Sequence, residues 1–176
     1  WSPQDPTFLL HQKAADGNGK LDRGLEPHLG VPEDFTDWHW ATQLNQARAV
    51  RFAIEHYRSW WPRTAGAIVW QLNDCWPVTS WAAIDGDERP KPLWYALRHA
   101  FAERTVVVVE RDGARVVAVV NDTDAAWPAE LRLTRERFDG EGLAEARDAV
   151  VVPPRSVHLV TPGAPLTTPD DERAEV

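Results

Sequence analysis

The 176-residue chain has no methionine and only one cysteine, Cys75. One cysteine excludes a framework of internal disulfides and favours a reducing compartment, so we expect a cytoplasmic protein. No signal peptide is visible at the start. Because methionine is absent even from position 1 and the chain starts abruptly at Trp1, we predict a piece of a longer polypeptide whose natural beginning is missing.

Positive charge and long apolar runs are also scarce. The formal net charge is −8, from 27 acidic and 19 basic residues. A non-specific nucleic-acid binder needs a positive surface, so this balance argues against that class. No apolar run approaches the roughly 20 residues of a membrane-spanning helix, and we expect no membrane partner. Only three of the basic residues are lysines, an arginine excess that we expect of a GC-rich bacterial genome.

Metal and modification sites find little support in the sequence. The six histidines lack the spacing of metal ligands. The stretch that begins at Asp16 starts like a calcium-binding EF-hand loop, but it fails three of that motif's positions, so we expect a glycine-rich turn there and no cofactor. Residues 121–123 match a glycosylation sequon, which we interpret first as a turn between strands. Cys75 has no basic neighbour in sequence, which favours a buried, inert thiol.

The first part of the chain is predicted to be α/β. Residues 1–36 contain many prolines and glycines and are expected to be irregular. A helix is predicted to begin near Thr36 or Asp37 and to end at Pro62, with apolar residues at steps of three and four. Its apolar face comprises Trp40, Leu44, Ala47, Val50, Ile54 and Tyr57. A buried strand over 66–70 follows, and Pro92 sets up the first turn of another helix.

The character of the sequence changes after Arg104. Short β-branched runs separated by turn residues indicate an antiparallel sandwich. The predicted strands are 106–109, 115–120, 130–134, 149–152 and 157–160. The stretch from Thr161 to Val176 is rich in proline, threonine and acidic residues and is expected to be mobile. The boundary between the two parts is predicted near residues 102–105.

The stretch Trp70–Trp81 combines three tryptophans with amide, carboxylate and hydroxyl groups, directly after the predicted strand. Flat apolar rings beside such groups suit a sugar, whose faces are C–H surfaces and whose rim is hydroxyls. In parallel α/β folds, ligands bind at the carboxyl ends of strands, where this stretch would lie. The alternative is that the tryptophans pack in the core and Asn73 to Cys75 form a turn.

Several stretches resemble the β-mannosidases of glycoside hydrolase family 2, and the likeness covers most of residues 8–104. The matching stretches are 11–13, 17–19, 34–40, 66–77, 80–81 and 91–95. The resemblance implies that residues 1–104 are the C-terminal segment of a (β/α)₈ TIM barrel. Residues 105–176 then look like the immunoglobulin-like antiparallel β-sandwich that follows the barrel in such enzymes.

The resemblance also implies a retaining exo-glycosidase that removes terminal β-linked mannose with two glutamates about 5 Å apart. In the family these glutamates lie on earlier barrel strands, and neither of their sequence contexts occurs here, so we expect no catalytic residue in this chain. The resemblance implies that Trp70 forms the platform under the hydrolysed sugar. The further candidate substrate-binding residues are Asn73, Asp74, Trp76, His11, Gln12 and Asn18.

Other functions remain open at this point. A related family 2 exo-enzyme acting on a β-glucosaminide or β-galactoside would share these motifs. A non-catalytic carbohydrate-binding module could use Trp76 and Trp81 as exposed platforms, although the pattern of helix, strand and helix disfavours it. An interaction module could dock a partner through the sandwich. The expected partners are carbohydrate and the remainder of the same polypeptide, with self-association of the chain through unpaired strand edges.

Overall fold

A computed structural model describes residues 1–171, 174 and 176. The chain forms two compact units. The first comprises residues 1–54 and 66–101, and the second comprises residues 55–65 and 102–176. Helices dominate the first unit and antiparallel sheets the second, which agrees with the prediction of helices first and antiparallel strands after them. No strand lies within the described residues of the first unit, so the predicted α/β character of that part is not observed there. Within the described residues, none of the helices is long and apolar enough to cross a membrane.

The first 36 residues contain two helices, so the prediction that they are irregular is wrong. Helix α1 spans Pro6–Leu10 and helix α2 spans Gly17–Leu25. Three glycines make α2 intrinsically weak. Leu25 nevertheless lies fully buried in a cluster with Trp38 and Ala41, against which Phe8, Leu21 and Phe35 also pack. Burial of this apolar face therefore overrides the local propensity.

Helix α3 spans Phe35–Arg58 and is capped two to three residues earlier than the sequence suggested. The Asp34 carboxylate accepts hydrogen bonds from the backbone N–H groups of Thr36 at 2.8 Å and Asp37 at 3.2 Å. Asp34, and not Thr36 or Asp37, is thus the capping residue. The predicted apolar face is also wrong at its start, because Trp38 is buried and Trp40 is exposed.

Residues 66–70 do not form the predicted buried strand. They belong to no strand, and no other segment of the described chain pairs with them. The side chain of Ile68 is 100% exposed and that of Trp70 is 73% exposed. A parallel strand gains its hydrogen bonds and its cover from neighbours on both sides, and none is present here. Helix α4, over Pro92–Ala100, follows as predicted, with Pro92 in its first turn.

The second unit contains five strands in two antiparallel sheets. The strands are β1 Arg104–Arg111, β2 Ala114–Asn121, β3 Trp127–Glu136, β4 Gly142–Val152 and β5 Ser156–Val160. One sheet has the order β1-β2-β5, and the other pairs β3 with β4. Val117 and Val119 of β2 pack with Leu131 of β3 and with Val150 and Val152 of β4. This contact between side chains of the two sheets is the main core of the unit.

Residues 55–65, the last turn of α3 and the turns after it, belong to the second unit. The Arg111 guanidinium of β1 lies 3.5 Å from the centroid of the Trp60 ring and donates a hydrogen bond to the Ser59 hydroxyl at 3.0 Å. The Arg58 guanidinium donates to the Ala102 carbonyl at 2.8 Å and to Asp122 at 2.6 Å. These contacts fix the segment where α3 ends.

The amide of Asn121 is fully buried at the end of β2. Its Nδ2 group donates to the carbonyl oxygens of Ala125 at 2.9 Å, Val152 at 3.1 Å and Pro153 at 3.0 Å. Its Oδ1 atom accepts from the backbone N–H and the hydroxyl of Thr123. The sequon asparagine is therefore a structural residue that joins the ends of β2 and β4 to the turn before β3, and its amide is not accessible in the folded protein.

The predicted mobile stretch 161–176 falls partly outside the described residues, because 172, 173 and 175 are not among them. The described part contains a short helix, α5, over Ala164–Thr167. Val176 exchanges two backbone hydrogen bonds with Glu136 of β3, each 2.8 Å long. Phe138 donates from its backbone N–H to the Ala174 carbonyl at 2.9 Å.

Candidate functional site

The stretch from Trp70 to Ile84 folds around the buried carboxylate of Asp74. Its side chain is only 1% exposed. It accepts hydrogen bonds from the Ser80 hydroxyl, from Lys13 Nζ at 3.3 Å and from Gln71 Nε2 at 3.4 Å. The backbone N–H of Asp74 donates to the Ile84 carbonyl at 3.0 Å. One carboxylate thus joins three parts of the chain, and its buried position leaves it no surface for a direct contact with a sugar.

Lys91, which directly precedes α4, lies near the same loop. Its Nζ is 3.4 Å from the Ser80 carbonyl oxygen, and its backbone N–H donates to the Ala83 carbonyl at 2.9 Å. Burial lowers the pKa of Lys91 below its ordinary value, whereas the nearby carboxylates of Asp74 and Asp85 act in the opposite direction. The loop therefore carries a compact set of charges in its interior, where water screens them weakly.

A second segment, residues 11–13, runs beside the loop. The backbone N–H of Thr79 donates to the His11 carbonyl at 3.0 Å, and that of Lys13 donates to the Thr79 carbonyl at 3.1 Å. The His11 ring lies 5.0 Å from the Trp76 ring, tilted by 35°, and its Nδ1 lies 2.5 Å from the Pro77 carbonyl oxygen. The structure thus brings His11 and Trp76, both proposed from the sequence, into direct contact.

Trp70 and Trp76 present exposed aromatic surface at the start and in the middle of the loop, at 73% and 47% exposure. The Trp70–Gln71 peptide bond is cis. The Asn73 amide is exposed, and its Nδ2 donates to the Asp74 carbonyl at 3.1 Å. Cys75 is also exposed, which corrects the prediction of a buried thiol.

The other two candidates from the sequence, Gln12 and Asn18, are hydrogen-bonded to each other. Gln12 Nε2 donates to Asn18 Oδ1 at 2.8 Å, and Asn18 Nδ2 donates to the Pro3 carbonyl at 2.5 Å. Asn18 is buried, whereas Gln12 is partly exposed. Gln12 also forms a backbone β-bridge with Thr79, and this bridge links Gln12 to the loop.

Sequence reasoning missed the residues that hold the loop, namely Lys13, Ser80, Gly86 and Lys91. A Cβ atom on Gly86 would lie 2.5 Å from the backbone carbonyl carbon of Trp76, so only glycine fits there. No local pattern in the sequence pointed to these residues, because the need for a cation or hydrogen-bond donors arises only once the Asp74 carboxylate is buried. In the described residues, no cluster of three or more His, Cys, Asp or Glu side chains could hold a metal ion.

The chain is similar to named proteins and to solved structures, although no family model matches it. It is 36% identical over 98 residues to Beta-mannosidase B of Aspergillus niger, and the same holds for Beta-mannosidase B of Aspergillus fumigatus. The aligned residues cover 54% of this chain and 12% of each relative. The crystal structure of a Beta-D-mannosidase from Dictyoglomus thermophilum superposes with a TM-score of 0.89 at 28% identity, over 98% of this chain and 21% of that one.

The chain is related to the β-mannosidases of glycoside hydrolase family 2. The resemblance noted in the sequence is thereby confirmed. The exo-chitosanase of Amycolatopsis orientalis has the same fold, with a TM-score of 0.70 at 22% identity over 94% of this chain and 20% of that one. The chain spans about an eighth of the length of the curated β-mannosidases. Those relatives are fungal, so they do not support the expected bacterial source.

Proposed function

We propose that the chain is part of a retaining exo-glycoside hydrolase that removes terminal non-reducing β-D-mannose residues. The observation that carries the proposal is the match to named β-mannosidases over 98 residues. The exposed ring of Trp70 is consistent with it, because a large aromatic face beside polar groups suits a pyranose ring.

In this proposal the chain supplies the sugar platform and not the groups that break the bond. A retaining mechanism requires two carboxyl groups about 5 Å apart on either side of the glycosidic bond. Glu88 is the one glutamate between residues 66 and 91, and the Asp74 carboxylate is occupied inside the loop. The two catalytic glutamates would then lie in the remainder of the polypeptide, and Trp70, Asn73, Trp76 and His11 would border the sugar.

We further propose that residues 1–104 form the end of a TIM barrel and residues 105–176 an immunoglobulin-like domain. The exposed, unpaired stretch 66–70 supports the barrel, because neighbouring strands would cover it there. The remainder of the polypeptide is accordingly the expected partner of the first unit, and the chain alone would self-associate through the same surface. A cytoplasmic location belongs to the same proposal.

The substrate test uses the full-length polypeptide and the 176-residue chain side by side. Aryl β-mannoside, β-glucosaminide and β-galactoside are the substrates, and kcat/KM is the measurement. We expect the full-length enzyme to prefer the mannoside and the 176-residue chain to show no turnover. Preference for another sugar would favour a related exo-enzyme. Binding without any turnover would favour a carbohydrate-binding module, and robust turnover by the short chain would contradict the missing glutamates.

The platform role of Trp70 has its own test in the full-length enzyme. We expect Trp70→Ala to lower kcat/KM for the aryl β-mannoside about 30-fold, because loss of a buried aromatic contact costs about 2 kcal/mol. Trp70→Phe retains a ring at the same position and should retain most of the activity. Equal losses in the two variants would show that the ring face itself is not used.

A further inference from the structure

Strand β1 forms an unprotected edge of its sheet in the second unit. The sheet has the order β1-β2-β5, and within the described residues no segment pairs with the outer side of β1. The strand is eight residues long, contains neither proline nor lysine, and keeps its register with β2 without a bulge. Proteins usually protect an edge with such features, because its unpaired N–H and C=O groups can pair with another strand. The opposite edge, β5, is only five residues long.

The hairpin between β1 and β2 determines which backbone groups of β1 face outward. Its two-residue turn places Arg111 and Ala114 opposite each other as the first hydrogen-bonded pair. Beyond the far end of the ladder, the backbone N–H of Asp122 donates to the Glu103 carbonyl at 2.8 Å, which continues the same alternation. The residues whose N–H and C=O groups point away from β2 are therefore 104, 106, 108 and 110.

The side chains of these four outward residues form a self-complementary pattern. They share one face of the strand, because side chains alternate along it. Val106 and Val108 lie in the middle and are 45% and 66% exposed. Arg104 and Glu110 lie at the two ends, and both are exposed. A second copy of the strand, turned by 180°, therefore presents valine to valine and negative charge to positive charge.

We propose that two copies of the protein pair through β1, antiparallel, about a two-fold axis that passes through Val107. In this register Val106 lies opposite Val108 of the second copy, and Arg104 lies opposite Glu110 of the second copy, each pair occurring twice. These opposite residues also exchange their outward backbone hydrogen bonds. A slip of two residues would place Arg104 opposite Val108 or Glu110 opposite Val106, so charge complementarity favours this register.

Pairing at β1 would join two three-stranded sheets into one continuous sheet across the dimer. The same surface patch is used on both copies, which is the requirement for a closed two-fold dimer. This edge belongs to the second unit and is distinct from the stretch 66–70, for which the remainder of the polypeptide is the expected partner. The proposal is also independent of catalytic activity, because it depends only on the edge of β1.

The test measures the dimer dissociation constant of the full-length polypeptide by sedimentation velocity. We expect a dimer in the unmodified protein and a monomer in Val108→Pro at the same concentrations. Proline removes the outward N–H group of residue 108 without a loss from the ladder between β1 and β2, and edge strands accept proline at such positions. Leu159→Pro is the matched control, because the alternation in the pairing of β2 with β5 directs the Leu159 N–H outward at the opposite edge. This control should dimerise like the unmodified protein.

A charge exchange tests the register. Glu110→Arg places like charges opposite each other twice, and we expect the dissociation constant to rise about tenfold. Addition of Arg104→Glu restores both pairs with the signs exchanged, and the constant should return to within about threefold of the unmodified value. Rescue by the second substitution requires that the two residues meet across the interface.

A full-length polypeptide that is monomeric at every concentration measured would overturn the proposal. A dimer that persists in Val108→Pro, or that is weakened equally by Leu159→Pro, would overturn it as well, because another surface would then form the interface. A monomer whose Tm falls in Val108→Pro and not in Leu159→Pro would show that a segment of the same polypeptide covers the edge. Absence of rescue in the charge-exchanged variant would overturn the register.

Discussion

Asp74→Asn is expected to destabilise the loop from Trp70 to Ile84 by about 3 kcal/mol, because removal of one partner of a buried ion pair costs about 3–5 kcal/mol. We choose the lower end since the Lys13 side chain is 29% exposed and can regain water. In the variant the negative charge beside Lys13 is lost. One of the two carboxylate oxygens that accept from Ser80, Lys13 and Gln71 also becomes an NH₂ group, which can only donate.

Hydrogen exchange of the 176-residue chain measures this effect locally, which suits a protein with two units. The amides of Asp74, Ala83 and Ile84 are hydrogen-bonded within the loop. We expect them to exchange about 100-fold faster in Asp74→Asn, since about 1.4 kcal/mol corresponds to a factor of ten. Asp87→Asn is the matched control, because the Asp87 side chain is 62% exposed and lies three residues after the end of the loop. Unchanged exchange in Asp74→Asn would show that the carboxylate does not hold the loop.

Asn121→Asp is expected to destabilise the second unit by about 4 kcal/mol. The wild-type amide donates to three carbonyl oxygens, and each buried carbonyl that loses its donor costs about 1–3 kcal/mol. A carboxylate at this position would also place negative charge against those oxygens without a cation. The ends of β2 and β4 should separate first, because the Asn121 amide joins them.

The measurement is the urea dependence of amide protection in β2 and β4. We expect the midpoint to fall well below that of the wild type, with little change in the amides of residues 35–54, the part of α3 that belongs to the first unit. Asp124→Asn, at an exposed carboxylate three residues away, should leave the midpoint unchanged. A wild-type midpoint in Asn121→Asp would mean that the buried amide contributes little to stability.

Periodicity and turn residues were sufficient to locate the regular elements with sustained patterns. Helix α4 begins where the sequence predicts it, and α3 lies close to its predicted position but ends at Arg58 and not at Pro62. Each of the five strands contains its predicted apolar run and extends beyond it. Helices α1 and α2 were missed because their stabilisation comes from distant residues. Leu25 and Trp38 meet only in the folded chain, and that contact outweighs the low helix propensity of three glycines.

For the candidate site, too, the sequence predicted the residue types correctly but not which side chains are buried. The aromatic and polar composition of 70–81 indicated a sugar-binding loop, and Trp70 and Trp76 are exposed there. Asp74 has the right residue type for sugar binding, but its neighbours make it the centre of a hydrogen-bond network. Burial depends on which residues fold over a side chain, and no local pattern encodes that for a single aspartate.

By itself, the sequence determined that helices precede antiparallel strands, and it determined the family resemblance and the aromatic loop, because these depend on residue types and their spacing. Tertiary structure decided which polar groups are interior and which segment joins which unit. Asn121 and Asp74 are buried because separate segments of the chain meet around them. Residues 55–65 belong to the second unit because of contacts such as those of Arg111 with Ser59 and Trp60. These partners lie some 50 residues apart in sequence, so only folding brings them together.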